Sequence, residues 1–483
     1  MIRRITGYVL IVEAGLLLLP CLTALIYGEP QGRAYLMTAA VCMVCGGLLA
    51  IAKPKSTVFY LKEGCAATAL SWIVLSVFGC IPFLITREIP SFIDALFETV
   101  SGFTTTGSTI LNNVEAMSHA SLLWRSLTHW IGGMGVLVFI LAIVPLSGGS
   151  NINLMRAESP GPSVGKLVPR MRQTARLLYI IYFAFTVLEF VFLLLGKMPV
   201  FDAICTSIGT AGTGGFGIRN DSIASYSPYI QWVVTAFMVL FGVNFNAYYY
   251  LLLRQFKKTV MISEIWVYFG MLFAATALMF LNVRTMYAHA GDAVRDSAFQ
   301  AASLATSTGF TTVDYDRFPN MFKLIALMLM TVGACSGSTG GGIKVSRFII
   351  AARSIYKELY TYVHPRSVRK VKMNGAVLED EIIRSTTVYF FVFFAVFAVS
   401  MFIVSFEQKS LVTNFSAVMA TINNIGPGLD LAGPSESFSD FTPLSKAVFI
   451  FDMLAGRLEL YPLLLLFNPM TWRETFRLRY RAK

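Results

Sequence analysis

Residues 91–109 read SFIDALFETVSGFTTTGST, a helix-length stretch that runs into a cluster of turn-forming residues. It opens with helix-compatible residues and closes on Thr104, Thr105, Thr106, Gly107 and Ser108, types that favour non-helical backbone. A helix of about ten residues rises only ~15 Å, half of a ~30 Å hydrocarbon core. The layout returns in 199–217 (PVFDAICTSIGTAGTGGFG), 294–312 (VRDSAFQAASLATSTGFTT) and 411–429 (LVTNFSAVMATINNIGPGL). Asp94 stands thirteen residues before Gly107, as does Asp202 before Gly215, Asp296 before Gly309 and Thr413 before Gly426. These Asp and Thr residues are read as N-caps of four short helices.

Each copy lies between two long apolar segments. Ten such segments occur, at 7–27, 35–52, 66–85, 122–146, 177–196, 229–253, 264–282, 321–352, 383–405 and 443–467. Only 14% of the 483 residues are charged, with a mean hydropathy of +0.64; a soluble chain carries about 25%. The solvent is therefore a bilayer, and the chain reads as an all-α membrane protein. Two N-terminal transmembrane helices (1–60) precede four span–pore helix–span repeats in pseudo-fourfold arrangement around one ion pore. The repeats occupy 61–150, 170–258, 262–355 (with an intramembrane glycine-rich loop) and 380–472, followed by a basic cytoplasmic tail, 473–483. Irregular backbone at membrane depth survives only inside protein or along a watery cavity. Four such segments on one axis would present a ring of carbonyl oxygens able to replace a cation's hydration shell.

The net charge of +12 sits in alternate loops. Arg3 and Arg4, Lys53, Lys55, Lys62, the stretch Arg156 to Arg176, Arg254/Lys257/Lys258, the run Lys344 to Lys372 and the tail all fall on one side. Acids such as Glu88, Asp94, Asp202, Asp296 and Asp314 fall on the other. The positive-inside rule places both termini in the cytoplasm, and the same pattern excludes nucleic acid as partner. Within the basic stretch 352–384, an Asn-Gly pair predicts a turn between two short elements. Seven cysteines without a paired CxxC pattern give neither a disulfide framework nor a zinc site. GSTGGGIK is no phosphate loop, since Lys344 does not follow a glycine and no strand precedes it. No nucleophile–base pair marks an enzyme.

The eighth span is interrupted by Gly333, Cys335, Ser336, Gly337, Ser338, Thr339, Gly340, Gly341 and Gly342, which breaks a helix. Arg457 lies within the last span, where a charge faces a pore or a partner, including a buried acid or loop carbonyls. Glu13, Arg125, His129, Glu189, Asn244 and Asn246 carry no assigned role, and His129 reads as a satisfied packing residue.

With TTTGST, GTGGFG, TSTGF, NNIGPG, GACSGSTGGGIKVSR and AGRLELYP in place, the chain resembles the Trk/Ktr/HKT superfamily of cation transporters. Within it, the likeness is to the bacterial Trk potassium-uptake membrane subunits, over nearly the whole length. The resemblance implies a potassium filter from carbonyls of Thr105, Thr106 and Gly107; Thr213, Gly214 and Gly215; Ser307, Thr308 and Gly309; and Asn424, Ile425 and Gly426. Gly107 matches the family members that prefer potassium over sodium, while Asn424 and Pro427 depart from fourfold symmetry and imply weaker selectivity. The resemblance further implies a gate formed by Gly337, Ser338, Thr339, Gly340, Gly341 and Gly342 with Arg457 as an electrostatic barrier. It implies a homodimer in the bacterial inner membrane, lipid-embedded and docked on a cytosolic nucleotide-binding RCK-type ring. Sodium- or proton-coupled symport on the same scaffold stays open as the alternative.

Overall fold

The computed structural model describes residues 2–51, 61–135 and 171–469, with backbone alone for 171–175. The positive flank at Lys53 and Lys55, the end of the 122–146 segment, most of the basic stretch from Arg156 and the 473–483 tail lie outside the described residues.

Two apolar helices, Ile2–Tyr27 and Gly32–Ile51, open the chain. They cross where both are glycine: a Cβ on Gly7 would lie 2.7 Å from the Gly46 carbonyl oxygen. Small residues are what allow helices to approach so closely in lipid. Four repeats follow. Their leading helices are Leu61–Gly79 with its continuation Ile81–Thr86, Met171–Leu195, Ser263–Val283 and Asp380–Val404. Their short helices are Phe92–Phe103, Val200–Gly212, Ala290–Ala305 and Leu411–Ile422. Lipid-facing positions carry exposed Leu25, Ile26, Phe273 and Phe391.

The returning helices are the irregular ones. Among the described residues six helices are long and apolar enough to cross a membrane, and a bent pair makes a seventh. The segment 321–352 breaks as expected, into Asn320–Val332 and Val345–Val363. Two other segments, expected as single spans, also divide. The 229–253 segment becomes Pro228–Phe241 and Phe245–Leu252, bent by 86°. Gly242 leaves room for the Tyr268 hydroxyl, which a Cβ there would meet at 2.3 Å. The Asn244 side chain then accepts from the Asn246 amide (2.9 Å), capping the second half. The 443–467 segment becomes Pro443–Arg457 and Tyr461–Phe467, because Glu459 and Leu460 take positive φ (56° and 67°). Pro462 then suits the new helix's first turn, where no amide donor is needed. Hydropathy counts apolar residues and is blind to such turns in backbone direction.

The caps also differ from expectation. The short helices begin after Ser91, Pro199, His289 and Ser410. Asp94, Asp202 and Thr413 therefore sit inside the first turn, and Asp296 a turn deeper. Carboxylates there still face the positive end of the helix dipole, and other partners hold them: Lys446 for Asp94 (2.6 Å) and the Tyr226 hydroxyl for Asp202 (2.7 Å). In the fourth copy Asp430, just beyond the glycine segment, accepts from Thr413 Oγ1 (2.6 Å) and supplies the carboxylate the sequence lacks at that point. On the basic side, Lys372–Met373 and Ala376–Val377 form a two-residue hairpin. Its turn is Asn374-Gly375 at φ 51° and 80°, the geometry that pair favours.

Candidate functional site: a ring of four glycine segments

All four short helices end in the same way. The residue after the last turn takes the left-handed conformation: Thr105 (φ 56°), Thr213 (53°), Ser307 (59°) and Asn424 (55°). The next amide reaches back five residues: Thr106 to Ser101 O (2.9 Å), Gly214 to Gly209 O (3.0 Å), Thr308 to Ser303 O (2.9 Å) and Ile425 to Ala420 O (2.8 Å). This is the Schellman type of helix ending. Gly107, Gly215 and Gly309 then follow with φ of 82°, 75° and 86°. Gly426 does not, since the Pro427 ring restricts the residue before it. The asymmetry read from the fourth sequence is thus a difference in backbone path.

The segments meet in order. A Cβ on Gly107 would lie 2.0 Å from Gly214 O, and one on Gly215 2.0 Å from Thr308 O. On Gly309 it would lie 3.1 Å from the Gly426 amide, and on Gly426 3.0 Å from Gly107 O. Each segment touches the next, and the fourth returns to the first. Gly107, Gly215, Gly309 and Gly426 all line one cavity of about 440 Å³, together with Glu436 and Asp440. The C-terminal ends of the short helices, with their negative partial charge, lead into this ring.

Buried braces hold the ring's first two segments. Arg125 and Glu98 pair at 2.8 Å with both side chains almost wholly buried. Glu98 also accepts from the Thr109 hydroxyl (2.9 Å) and the Ile110 amide (3.0 Å), while Arg125 donates to Gly217 O (3.2 Å). His129 donates from Nδ1 to Gly102 O (2.8 Å) and accepts at Nε2 from the Phe216 amide (3.2 Å). Both nitrogens are used in packing, which leaves no ligand role. Asn424 Nδ2 ties segment four to Thr106 Oγ1 (3.0 Å).

The glycine-rich loop, 333–344, packs against the entry to segments three and four. The Gly342 amide donates to Asn423 O (2.9 Å) and the Gly341 amide to Ser307 Oγ. A Cβ on Gly341 would lie 2.3 Å from Asn423 O, and one on Gly340 2.7 Å from Thr306 O. Only glycine allows so close an approach. The Phe245 amide donates to Gly337 O (3.0 Å), and the Ser338 hydroxyl to Cys335 O (2.6 Å). Arg457 donates to Thr339 O (3.0 Å), Gly133 O (2.7 Å) and Gly132 O, so it bridges the loop to the end of helix His119–Met134. Carbonyls of the loop and of that helix accept from it, and the neighbouring Glu459 pairs with Arg347.

Two residues that hold the loop, Lys344 within it and Glu264 in helix Ser263–Val283, carry no sequence signal of that role. Lys344 is buried and donates to Gly340 O. Glu264, 2% exposed, accepts at one oxygen from the amides of Ser336 (2.6 Å), within the loop, and Ser346 (3.1 Å), in the first turn of the helix that follows it. Glu264 was legible only as an acid at the start of a span; its acceptor role needs partners over seventy residues away.

A family model described as cation transport protein matches residues 31–474. The Trk system potassium uptake protein TrkH of Escherichia coli K12 is 35% identical over 481 residues, covering 98% of this chain and 99% of that protein. TrkG of the same strain is 32% identical over 481 residues, with 98% of each chain covered. The crystal structure of the potassium transporter TrkH from Vibrio parahaemolyticus superposes with a TM-score of 0.87 at 31% identity, covering 98% of this chain and 99% of the other. With its full length matched in sequence and fold, this multi-pass membrane protein belongs to the TrkH family of cation transport proteins.

Proposed function

We propose that this chain carries potassium into a bacterial cell across the inner membrane, with both termini cytoplasmic. The ion passes along the axis where the four glycine segments meet, and main-chain oxygens of residues 105–107, 213–215, 307–309 and 424–426 replace its water. The single observation that carries this reading is the cyclic contact of Gly107, Gly215, Gly309 and Gly426 around one cavity. Names of relatives agree, since each is a potassium uptake protein.

Loop residues 337–342 and Arg457 serve as the gate. The guanidinium beside the path repels cations, and loop and Arg457 move together because they are hydrogen-bonded. A homodimer docked on a cytosolic RCK-type nucleotide-binding ring would bias that motion from the basic inner face. Growth of an uptake-deficient bacterium on low potassium, restored by this chain, tests the function. In liposomes, rubidium flux exceeds sodium flux and follows the rubidium gradient whatever the sodium or proton gradient. Equal rubidium and sodium fluxes reject the filter, and flux that stops without a sodium or proton gradient rejects the channel-like mode.

A further inference from the structure

The helix that leaves the glycine-rich loop, Val345–Val363, ends beside the hairpin, and the two enclose a groove of about 630 Å³. Its walls carry Arg353, Lys357, Arg369, Lys370 and Lys372, with Tyr356 among them and no carboxylate. Arg353 donates to Lys372 O, which fixes the helix to the hairpin. Arg369 lies over the rings of Tyr360 (4.6 Å) and Tyr356 (5.0 Å), so its guanidinium is positioned by stacking. Among the described residues Arg353, Arg369, Lys370 and Lys372 have no ion-pair partner, and Lys357 meets only Glu358 at 3.8 Å. Five like charges held around one cavity repel one another unless an anion joins them.

We propose that this groove binds the phosphate of an anionic phospholipid from the cytoplasmic leaflet. The chemistry required is that of a phosphate, and the surroundings favour a lipid as its source. Val368 is 91% exposed at the groove, and Ile355, Leu359 and Val363 are exposed on the adjoining helix. Cations beside bare apolar side chains are the pattern of a membrane interface, where headgroup and acyl boundary meet both. Because the same helix begins at Val345, directly after the loop, a bound headgroup would steady the segment from which the loop hangs. The proposal rests on the cytoplasmic placement of this face, not on potassium conduction, and lipid binding is read apart from flux.

Native mass spectrometry of the purified full chain, titrated with phosphatidylglycerol or phosphatidylcholine, tests it. Each basic residue at such a site contributes roughly fivefold to anionic lipid affinity. The triple variant Arg369→Gln, Lys370→Gln, Lys372→Gln should lose roughly a hundredfold in preference for phosphatidylglycerol. Neutralising Arg254, Lys257 and Lys258 on another inner loop should leave that preference intact. A preference unchanged in the groove variant, or lowered equally by the control, overturns the proposal. So does a groove that binds inorganic pyrophosphate and shows no preference between the two lipids.

Discussion

Replacing Glu264 should raise ion flux without touching the four glycine segments. Its Oε1 accepts from the amides of Ser336 (2.6 Å) and Ser346 (3.1 Å), so one carboxylate ties the glycine-rich loop to the start of the helix that follows it. A hydrogen bond to a charged group contributes ~1.5–3 kcal/mol, so the pair holds the loop by ~3–6 kcal/mol. Glu264→Gln keeps an acceptor oxygen and loses the charge, which removes roughly half. At 1.4 kcal/mol per tenfold, the displaced loop becomes about ten- to a hundredfold more populated. Glu264→Ala also leaves two amides without an acceptor, and its effect should be larger. The assay is rubidium uptake into liposomes holding the purified chain alone, with gel filtration to show that each variant is folded. The rubidium-to-sodium ratio serves as the internal control, since no residue of the four glycine segments changes. Wild-type basal flux in both folded variants would refute the clamp, as would a rise accompanied by lost selectivity.

Three further outcomes follow from the geometry. Arg457→Ala removes the guanidinium bridging Thr339 O to Gly133 O, and basal rubidium flux should rise; unchanged or abolished flux with normal folding counts against its role as barrier. Gly107→Ser puts a Cβ 2.0 Å from Gly214 O at φ 82°, so the ring must widen and the rubidium-to-sodium flux ratio should fall toward one; an unaltered ratio would speak against filtration at Gly107. Hydrogen bonds from the Ser410 and Thr413 hydroxyls hold the Asp430 carboxyl below the ordinary carboxylate range. A depressed folded value means stability that is complete above the unfolded value near ~3.9 and is lost as pH falls through the folded one. Thermal unfolding of wild type and Asp430→Asn should therefore differ near neutrality and converge on acidification below about pH 4. Curves separated equally at every pH would contradict this.

The membrane environment, the fourfold repeat and the break at 333–342 were legible in the sequence, because they depend on local composition and spacing. Hydropathy over about twenty residues reports the solvent, and a run of glycines reports a helix that cannot continue. The bends at Gly242–Asn244 and Glu459–Leu460 were not legible, since each depends on what packs beside it, such as Tyr268 behind Gly242. The caps were misread for a similar reason: an acid in the first turn and an acid at the cap look alike until the backbone is placed. Arg457 was visible as a charge within a span, but whether it faced Glu459, two residues on, or carbonyls of the glycine-rich loop and of helix His119–Met134 was a question of direction.

Composition and spacing alone establish that four half-membrane helices end in turn-forming segments within a bilayer. That those segments close on one another, that Glu264 ties the loop to the helix after it, and that Glu459 belongs to Arg347 emerge only when the chain is packed. A helix or a turn is selected by neighbours along the chain, whereas closure of a ring and the choice of partner for a buried charge are settled by groups from other elements, as with Arg347 and Glu459, 112 residues apart.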